Sequence, residues 1–368
     1  MQRCSIFLEN MMDVDLGFAE LRESAWLTNR YFPSKIGGKP AWLELENLPS
    51  TKELLCESCN EPKSFLCQIY APFEDEHNFH RTIFIFVCRS SVCQKTNSAN
   101  NFTAYRSQLP KKNSFYSEDP PKEEGKPLQE IQTTKKVCIA CGCLGPLACS
   151  RCRKSNYCCV KHQRAHWPHH KKLCNFENSI ETEVKEVLPE VRFPEYEIVV
   201  EANNSEEESD VDKDDERAET ERWNEYQNLV ASGNTGTLKD VPEVELDKYI
   251  SESDVADDKY FRKFKKEVSK DPEQILRYKR GGSPLWISDV EKTIGKNIII
   301  PKCELCTSER QFEFQILPQM LNLLKDDNLD WGTVAVYTCK QSCKIPTGKG
   351  YVNEYILKQD IVADENKK

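Results

Sequence analysis

Short apolar runs mark two distant stretches of the chain. Residues 83–87 read IFIFV, a continuous run of β-branched and aromatic residues, and residues 334–337 form a shorter run of the same kind. Such runs are typical of strands that are covered on both faces. A Gly-Gly pair and a Pro-x-Trp segment precede each run, which predicts a turn followed by a buried tryptophan, Trp42 in the first stretch and Trp286 in the second.

The two stretches share the order of their motifs. GGKPAWL at 37–43 corresponds to GGSPLWI at 281–287, and CESC at 56–59 corresponds to CELC at 303–306. This conserved order within one chain indicates an internal duplication. Because a single repeat of about 80 residues is small for an independent barrel, we expect one composite β-domain assembled from both halves. Independent folding of two zinc domains is the alternative.

Charged and proline-rich segments separate the halves. Residues 108–137 combine prolines with Lys and Glu, which indicates a linker. Residues 201–222 hold 11 acidic and 3 basic residues, so the surrounding segment is expected to be largely disordered. Before the second repeat, residues 257–270 and 272–278 predict helices, with Pro272 at a first helical position.

The predicted fold class is therefore α+β and β-rich, with a cysteine/histidine module inserted into a duplicated β-domain. The predicted boundaries are the first half of the β-domain at 1–107, a linker at 108–137, the module at 138–174, an acidic and largely disordered linker at 175–250, and the second half at 251–368.

Cysteine content suggests metal binding. The 368 residues include 18 cysteines, and the amino-terminal segment lacks the apolar stretch of a secretory signal, so we expect the reducing cytoplasm or nucleus, where disulfides are rare. Metal ligation then becomes the leading explanation of the cysteines. The net charge of −9 disfavours the whole chain as a duplex nucleic-acid binder and suits a basic partner.

The central module carries eight candidate zinc ligands in four closely spaced pairs. Two pairs are C-x-x-C turns, and two pairs are separated by four positions, which places both members on one helical face. Thiolates and imidazoles are the ligands that Zn(II) prefers, and eight of them suffice for two tetrahedral sites. The candidates are Cys138, Cys141, Cys149, Cys152, Cys158, His162, His170 and Cys174.

Each repeat holds a further set of four cysteines. The first set is Cys56, Cys59, Cys88 and Cys93, and the second set is Cys303, Cys306, Cys339 and Cys343. Their equivalent positions predict one structural zinc in each half. Four residues separate Cys88 from Cys93, but three separate Cys339 from Cys343. Because of this difference, buried core cysteines remain the alternative. Cys67 has Gln315 at or near its counterpart in the second half, so it is expected in the core and not as a ligand.

The central run from 138 to 174 resembles a MYND zinc finger. Its landmarks are Tyr157 before Cys158, then Gln163, Trp167 and the segment from His170 to Cys174. The resemblance implies cross-braced pairing, in which one zinc takes Cys138, Cys141, Cys158 and His162, and the other takes Cys149, Cys152, His170 and Cys174. His162 departs from the usual finger in two ways. The usual ligand here is a Cys, and it lies one residue earlier in the chain. His166 and His169 could compete as ligands but are expected to be exposed helical residues.

A finger of this type between two such halves resembles the programmed cell death protein 2 family. The resemblance rests on FLCQIYAP at 65–72, PEQILRY at 272–278, FEFQILPQML at 312–321 and DWGTVAVYTC at 330–339. It implies a dedicated chaperone that captures a basic small-subunit ribosomal protein, the one usually numbered two in eukaryotes. The chaperone would escort this protein from the cytoplasm to nuclear pre-ribosomes and so support assembly of the 40S subunit.

Three other functions compete with a chaperone. An adaptor would bind proline-containing corepressor peptides through the finger and regulate proliferation or cell death. An enzyme is not expected, because every zinc set already has four protein ligands and no nucleophile or nucleotide motif is present. Direct RNA binding would use the basic and aromatic residues at 259–266 and 277–280, but an amphipathic helix with its aromatics in the core explains the same pattern.

Overall fold

The computed structural model describes residues 14–174, 188–202, 252–295 and 298–361. Ten of its strands form a closed antiparallel barrel in the order β1-β8-β2-β3-β4-β5-β12-β11-β10-β9. These strands are β1 (Asp15–Glu20), β2 (Lys35–Ile36), β3 (Ser64–Tyr70), β4 (His80–Val87), β5 (Phe102–Leu109), β8 (Tyr196–Glu201), β9 (Leu276–Tyr278), β10 (Arg310–Ile316), β11 (Thr333–Cys339) and β12 (Val352–Gln359).

The remaining regular elements lie outside the barrel. A two-stranded ribbon of β6 (Leu147–Ala148) and β7 (Asn156–Tyr157) precedes helix α1 (Val160–Leu173). Helices α2 (Glu252–Lys270), α3 (Val290–Thr293) and α4 (Leu321–Leu324) belong to the second half. Among the described helices, none has both the length and the apolar character needed to cross a bilayer. The β-rich class with few helices is confirmed.

Strands from both halves lie side by side in the barrel. The runs β2-β3-β4-β5 and β9-β10-β11-β12 have the same antiparallel order. They meet where β5 pairs with β12, while β1 and β8 close the barrel between β2 and β9. Both β3 and β10 carry a register shift early in the strand, at Phe65/Cys67 and at Phe312/Phe314. Origin of the two runs by duplication stays a prediction.

Two apolar layers explain the uninterrupted apolar run of β4. Ile83 and Ile85 belong to the cluster that fills the barrel, whereas Phe84 and Phe86 belong to an outer cluster that contains the finger. In β11, Val334 and Val336 lie in the inner cluster. Because neighbouring side chains on a strand point to opposite faces, both faces of these strands must be covered, as the apolar runs predicted.

The tryptophan of the first half connects the barrel to the finger. Trp42 is buried, and its Nε1–H donates to the carbonyl oxygen of Gly142 at 2.8 Å. It also lies 5.2 Å from the ring of Phe84 in β4. The finger and the barrel therefore share one apolar cluster. Trp286, in contrast, is only half-buried.

A buried ion pair joins the two halves. Arg81 on β4 and Glu313 on β10 are fully buried, and both terminal nitrogens of Arg81 donate to the Glu313 carboxylate, at 2.5 and 2.7 Å. The Tyr278 hydroxyl donates to the same carboxylate at 3.0 Å. The charge of Arg81 overcomes the effect of burial and lowers the pKa of Glu313 to about 2.

Two predicted segments differ from the structure. Residues 272–278 were expected to be helical, but Leu276–Tyr278 forms β9, which pairs with both β1 and β10. Pairing with two neighbouring strands outweighs the local helical preference. The predicted linker at 175–250 contains β8, a barrel strand, and residues 175–187 and 203–250 of that linker lie outside the described residues.

Helix 257–270 is confirmed as part of α2. Phe264 and Val268 on this helix are buried against Leu317 and Ile287 of the second half. The sequence analysis favoured a core position for the aromatics of this segment, and the structure corrects this for Tyr260 and Phe261, which are 38% and 42% exposed.

The proline-rich segment after β5 lies on the folded body. Residues 110–136 contain no helix or strand, consistent with a connecting role. Tyr116 is nevertheless buried, and its hydroxyl donates to the carbonyl oxygens of Trp42 and Leu43 at 3.1 and 2.8 Å. Asn29 also exchanges hydrogen bonds with the backbone of Ile131.

Candidate metal centres

Four clusters of metal-ligating side chains form in the described part of the chain. They are Cys56, Cys59, Cys88 and Cys93; Cys138, Cys141, Cys158 and His162; Cys149, Cys152, His170 and Cys174; and Cys303, Cys306, Cys339 and Cys343. Within each cluster the ligand atoms all lie within 4.8 Å of one another. The structure thus brings together all sixteen candidate ligands in the sets that the sequence analysis named.

The first-half cluster is assembled by a turn and by the end of β4. The turn that carries Cys56 and Cys59 is closed by hydrogen bonds from the N–H of Asn60 to the carbonyl of Cys56 and from the N–H of Cys56 to the carbonyl of Glu61. Cys88 directly follows β4, and Cys93 ends a short 3-10 turn. Burial opposes thiolate formation, yet the backbone N–H groups of Cys59 and Ser58 lower the pKa of Cys56 to about 7.

The second-half cluster repeats this arrangement. Thr307 donates its N–H to the carbonyl of Cys303, and Thr307 has the left-handed backbone conformation that Asn60 has in the first half. Cys339 is the last residue of β11. The N–H of Ser308 lowers the pKa of the Cys306 thiol. The loop from Cys339 to Cys343 is one residue shorter than the loop from Cys88 to Cys93. Each loop nevertheless brings its two sulfurs next to the two sulfurs of the C-x-x-C turn.

Sulfur separations in both clusters fit a tetrahedral zinc. A Zn–S bond of about 2.3 Å requires sulfurs about 3.8 Å apart. The Cys56–Cys93 and Cys59–Cys88 sulfurs are 3.8 and 3.6 Å apart, and the Cys303–Cys343 and Cys306–Cys339 sulfurs are 3.7 and 3.5 Å apart. Ordinary apolar packing of core cysteines does not require four sulfurs to lie this close together. Both halves show this arrangement, which favours zinc ligation.

The finger has the cross-braced pairing that the MYND resemblance implies. In one cluster, Cys141 and Cys158 have sulfurs 3.7 Å apart, and Nδ1 of His162 lies 3.0 Å from the Cys158 sulfur. In the other cluster, Nε2 of His170 lies 3.4 Å from the Cys152 sulfur. The late position of His162 is accommodated because it lies in the first turn of α1, four residues after Cys158.

Neighbouring side chains orient the finger ligands. The Nδ1 atom of His170 lies 3.2 Å from the Ser155 hydroxyl, which leaves Nε2 for a metal. Cys159 caps α1, since its sulfur accepts the backbone N–H of His162. His166 was expected to be exposed but is buried, with Nδ1 3.0 Å from the Tyr157 hydroxyl. It supports the helix and joins neither cluster.

Buried cations beside the repeat clusters escaped the sequence analysis. Lys63 is buried and interacts electrostatically with Cys56, Cys59 and Cys88, although burial itself lowers its pKa. Arg310 occupies the equivalent position, seven residues after Cys303, and shares the buried Glu354 carboxylate with Arg106. Arg106 is the cation that reaches the second cluster, since its Nη2 lies 3.8 Å from the Cys343 sulfur. A zinc bound by four thiolates carries two negative charges, so a buried cation offsets them. Aligning the repeats beyond their cysteines reveals the pair of Lys63 and Arg310.

Comparison with known proteins identifies the domains that contain these clusters. Residues 13–123 match the N-terminal domain of programmed cell death protein 2, residues 258–360 match its C-terminal putative domain, and residues 138–174 match the MYND finger. The finger implies zinc binding, and the clusters described above are able to hold the metal. No solved structure matches the chain.

Relatives cover nearly the whole chain. Programmed cell death protein 2 from Bos taurus is 40% identical over 96% of this chain and 98% of its own length. Programmed cell death protein 2-like from Homo sapiens is 26% identical over 89% of this chain and 90% of its own length. A probable 20S rRNA accumulation protein 4 from Schizosaccharomyces pombe is 38% identical over 27% of this chain and 28% of its own length. By domain order and by identity over nearly its full length, the chain belongs to the programmed cell death protein 2 family.

Proposed function

We propose that this protein is a dedicated chaperone for a basic small-subunit ribosomal protein, the one usually numbered two in eukaryotes. The observation that carries the proposal is the similarity to a relative named for accumulation of 20S rRNA. A protein needed for a ribosomal RNA to accumulate acts in ribosome assembly, and the family resemblance adds the escort role. The chaperone would take its client from the cytoplasm to the nucleus.

The charge of the chain supports this role, and the closed barrel restricts where the client can bind. The net charge of −9 favours a basic client, and Glu74, Asp75 and Glu76 form an exposed acidic group on the loop between β3 and β4. Every barrel strand pairs with two neighbours, so the barrel offers no long free edge to which a client strand could add. Binding would therefore use side chains and loops on the outside of the barrel.

An adaptor function through the finger is the second candidate. The finger exposes Val160 and Trp167, which are 51% and 41% exposed. Val160 also lines a groove of about 510 Å³ between α1 and the loops before β3 and β8, with Glu61, Lys161, Arg164, Ala165, Glu190 and Val191. A proline-containing corepressor peptide would contact Val160 and Trp167, since exposed apolar groups mark protein interaction sites. The groove itself is lined mostly by charged side chains.

A catalytic role is not part of the proposal. Each of the four described clusters already has four protein ligands, and catalytic zinc needs an open position for water. The metal centres are therefore assigned to folding. A hydrolase or transferase assay that responded to substitution of a cluster ligand without loss of folding would contradict this assignment.

Capture of the client distinguishes the two functions. Tagged full-length protein should retain one dominant basic small-subunit protein at moderate salt, identified by mass spectrometry. Deleting residues 138–174 is a poor test, because the finger shares an apolar cluster with the barrel. The variant Val160→Ala plus Trp167→Ala removes partly exposed apolar side chains of α1, so it should retain the client fully if the barrel binds it. Because the Trp167 ring lies 5.9 Å from that of His170, zinc content and thermal unfolding of the variant are measured alongside. Loss of the ribosomal protein from this variant would place client binding on the finger and contradict binding by the outside of the barrel, whereas capture of a proline-containing corepressor by the wild type, lost from the variant, would favour the adaptor.

The acidic segment at 201–222 should accelerate capture of the client. Most of it lies outside the described residues, so the argument rests on charge alone. Attraction between exposed charges is screened beyond about 8 Å at physiological salt and acts mainly on encounter. Neutralising the segment should slow association at low salt and leave dissociation nearly unchanged in surface-binding kinetics. The residues are Glu206, Glu207, Glu208, Asp210, Asp212, Asp214 and Asp215. Wild-type association by this variant would reduce the segment to a spacer.

A further inference from the structure

One candidate zinc ligand of the second half differs from the other ligands in its exposure. Cys306 is exposed, whereas the other fifteen ligands of the four described clusters are buried or half-buried. Its equivalent in the first half, Cys59, is half-buried. Glu304 and Thr307, in the same turn as Cys306, are exposed as well. Small molecules in solution therefore reach the Cys306 side chain more readily than any other ligand of these clusters.

Access is the property that distinguishes these cysteines from one another. A bound zinc holds each of its cysteine ligands as a thiolate, so all fourteen cysteines of the clusters share the form that reacts with oxidants. The susceptibility of a cysteine to oxidation depends on its thiolate character and on its exposure. Because thiolate character is shared, exposure makes Cys306 the first ligand that a dissolved oxidant meets.

Charge compensation also differs between the two equivalent cysteines. The buried Lys63 interacts electrostatically with Cys59. In the second half, the cation that reaches the cluster is Arg106, whose Nη2 lies 3.8 Å from the sulfur of Cys343. A cation beside a thiolate stabilises its electron pair and so lowers its nucleophilicity. Lys63 therefore protects Cys59, whereas Arg106 acts on a different ligand, Cys343.

A second sulfur lies within reach of Cys306. The sulfur atoms of Cys306 and Cys339 are 3.5 Å apart, which is van der Waals contact for two sulfurs. Cys306 lies on an exposed turn, whereas Cys339 is fully buried at the end of β11. Cys339 is therefore shielded from a dissolved oxidant but lies close enough to react with an oxidised Cys306.

We propose that Cys306 is the site at which a small hydroperoxide oxidises this protein, and that a disulfide between Cys306 and Cys339 then releases the zinc of the second half. The Cys306 thiolate attacks one oxygen of the peroxide, so an S–O bond forms and the O–O bond breaks. The leaving oxygen takes a proton and becomes water or an alcohol. The Cys339 thiolate then attacks the sulfur of this sulfenic acid, so an S–S bond forms and hydroxide leaves, which is protonated to water. The two sulfurs supply the two electrons that reduce the peroxide.

Loss of the ion would weaken the second half of the barrel. The disulfide leaves only Cys303 and Cys343 as ligands, which are too few for the tetrahedral site of a structural zinc. Because structural zinc binding is folding free energy, the strands β10 and β11 that flank the cluster would lose support. A thiol reductant and zinc should reverse the change, since a disulfide is a reversible oxidation product. Release of this ion presupposes that the second-half cluster binds zinc, so the experiment counts the ions first.

The experiment treats the zinc-loaded full chain with about one molar equivalent of hydrogen peroxide. Elemental analysis gives the zinc content before treatment, and a chromogenic chelator reports the release of zinc with time. Differential alkylation after acid quenching, followed by peptide mass spectrometry, identifies the oxidised cysteines. We expect release of about one ion per chain together with a disulfide between Cys306 and Cys339. The ion should bind again after addition of dithiothreitol and zinc.

Histidine replacements test the exposed ligand without opening the site. Cys306→His keeps four zinc ligands, because imidazole is a preferred ligand of zinc, and it removes the exposed thiolate. We expect this variant to retain its zinc and to release the first ion about tenfold more slowly. Cys59→His is the matched control in the first half and should release the first ion at the wild-type rate. Zinc content and thermal unfolding before oxidation establish that both variants are folded. Should Cys306→His lose its zinc, the mapping of oxidised cysteines in the wild type decides alone.

A half-buried thiol in the finger requires a further control. The sulfur of Cys159 lies 3.8 Å from that of the ligand Cys158, so its oxidation could disturb the finger. Cys159→Ser removes this thiol and keeps a side chain that caps helices well. This variant should release the first ion at the wild-type rate.

Three results would overturn the proposal. A wild-type content near two ions before treatment would contradict both zinc binding by the repeat clusters and its release. About four ions before treatment, with the first loss from the finger or from the first half, would leave the metal assignment intact and contradict the role of Cys306. Oxidation of Cys159 without release of zinc would place the reactive thiol in the finger.

Discussion

Purified protein should contain about four zinc ions per chain, two in the finger and one in each half of the β-domain. Elemental analysis measures this number directly. Cys56→Ser or Cys303→Ser should each remove at least the ion of its own cluster, because the remaining three thiolates of a closed site hold zinc far less tightly. Structural zinc binding is worth about 10–16 kcal/mol in finger peptides at neutral pH. That is comparable to the whole stability of a domain, so these substitutions should prevent folding rather than reduce client binding alone.

Cys67 provides the matched control for this experiment. It is fully buried in the barrel cluster, and burial raises the pKa of its thiol. Cys67→Ala should therefore retain all four ions and lose only packing energy. A content near two ions in the wild type would mean that the finger binds zinc and that the repeat cysteines are buried core residues. Prolonged treatment with a chelator should unfold both the finger and the barrel, as followed by circular dichroism.

Replacing Arg81 with methionine should lower the free energy of unfolding by about 3–5 kcal/mol, since it leaves the buried Glu313 carboxylate with the more distant Arg280, at 3.8 Å, as its cationic neighbour. Chemical denaturation measures the change. The double variant Arg81→Met plus Glu313→Met should recover most of the loss, because two apolar side chains carry no uncompensated charge. Lys161→Met breaks the exposed pair with Glu61 and should cost less than about 1 kcal/mol.

The same ion pair makes the two halves depend on each other. Arg81 belongs to the first half and Glu313 to the second, so residues 1–110 expressed alone should fold poorly and be rescued by residues 250–368. An independent, sharp melting transition of the first fragment would contradict this. The depressed pKa of Glu313 also sets an acid limit. Its stabilisation is present above the ordinary carboxyl pKa of 4.5 and is lost as the pH falls towards about 2.

Local patterns in the sequence determined the metal clusters and the best strands. A C-x-x-C turn, or a Cys and a His four residues apart on a helix, fixes two ligands relative to each other without help from the rest of the chain. The run at 83–87 likewise required cover on both faces, which the inner and outer clusters supply. Family membership followed from the order of these motifs.

Only the tertiary structure decided which distant segments meet. The strand β8 lies in a segment whose composition resembles a linker, and Leu276–Tyr278 is a strand because β1 and β10 hold it on both sides. The pairing of Arg81 with Glu313, the buried Lys63 and Arg310, and the exposure of Tyr260 and Phe261 depend on the same assembly. These features depend on hydrogen bonds between strands, on charge compensation in the core and on burial of one helical face. All three involve residues far apart in the chain, so local spacing in the sequence cannot predict them.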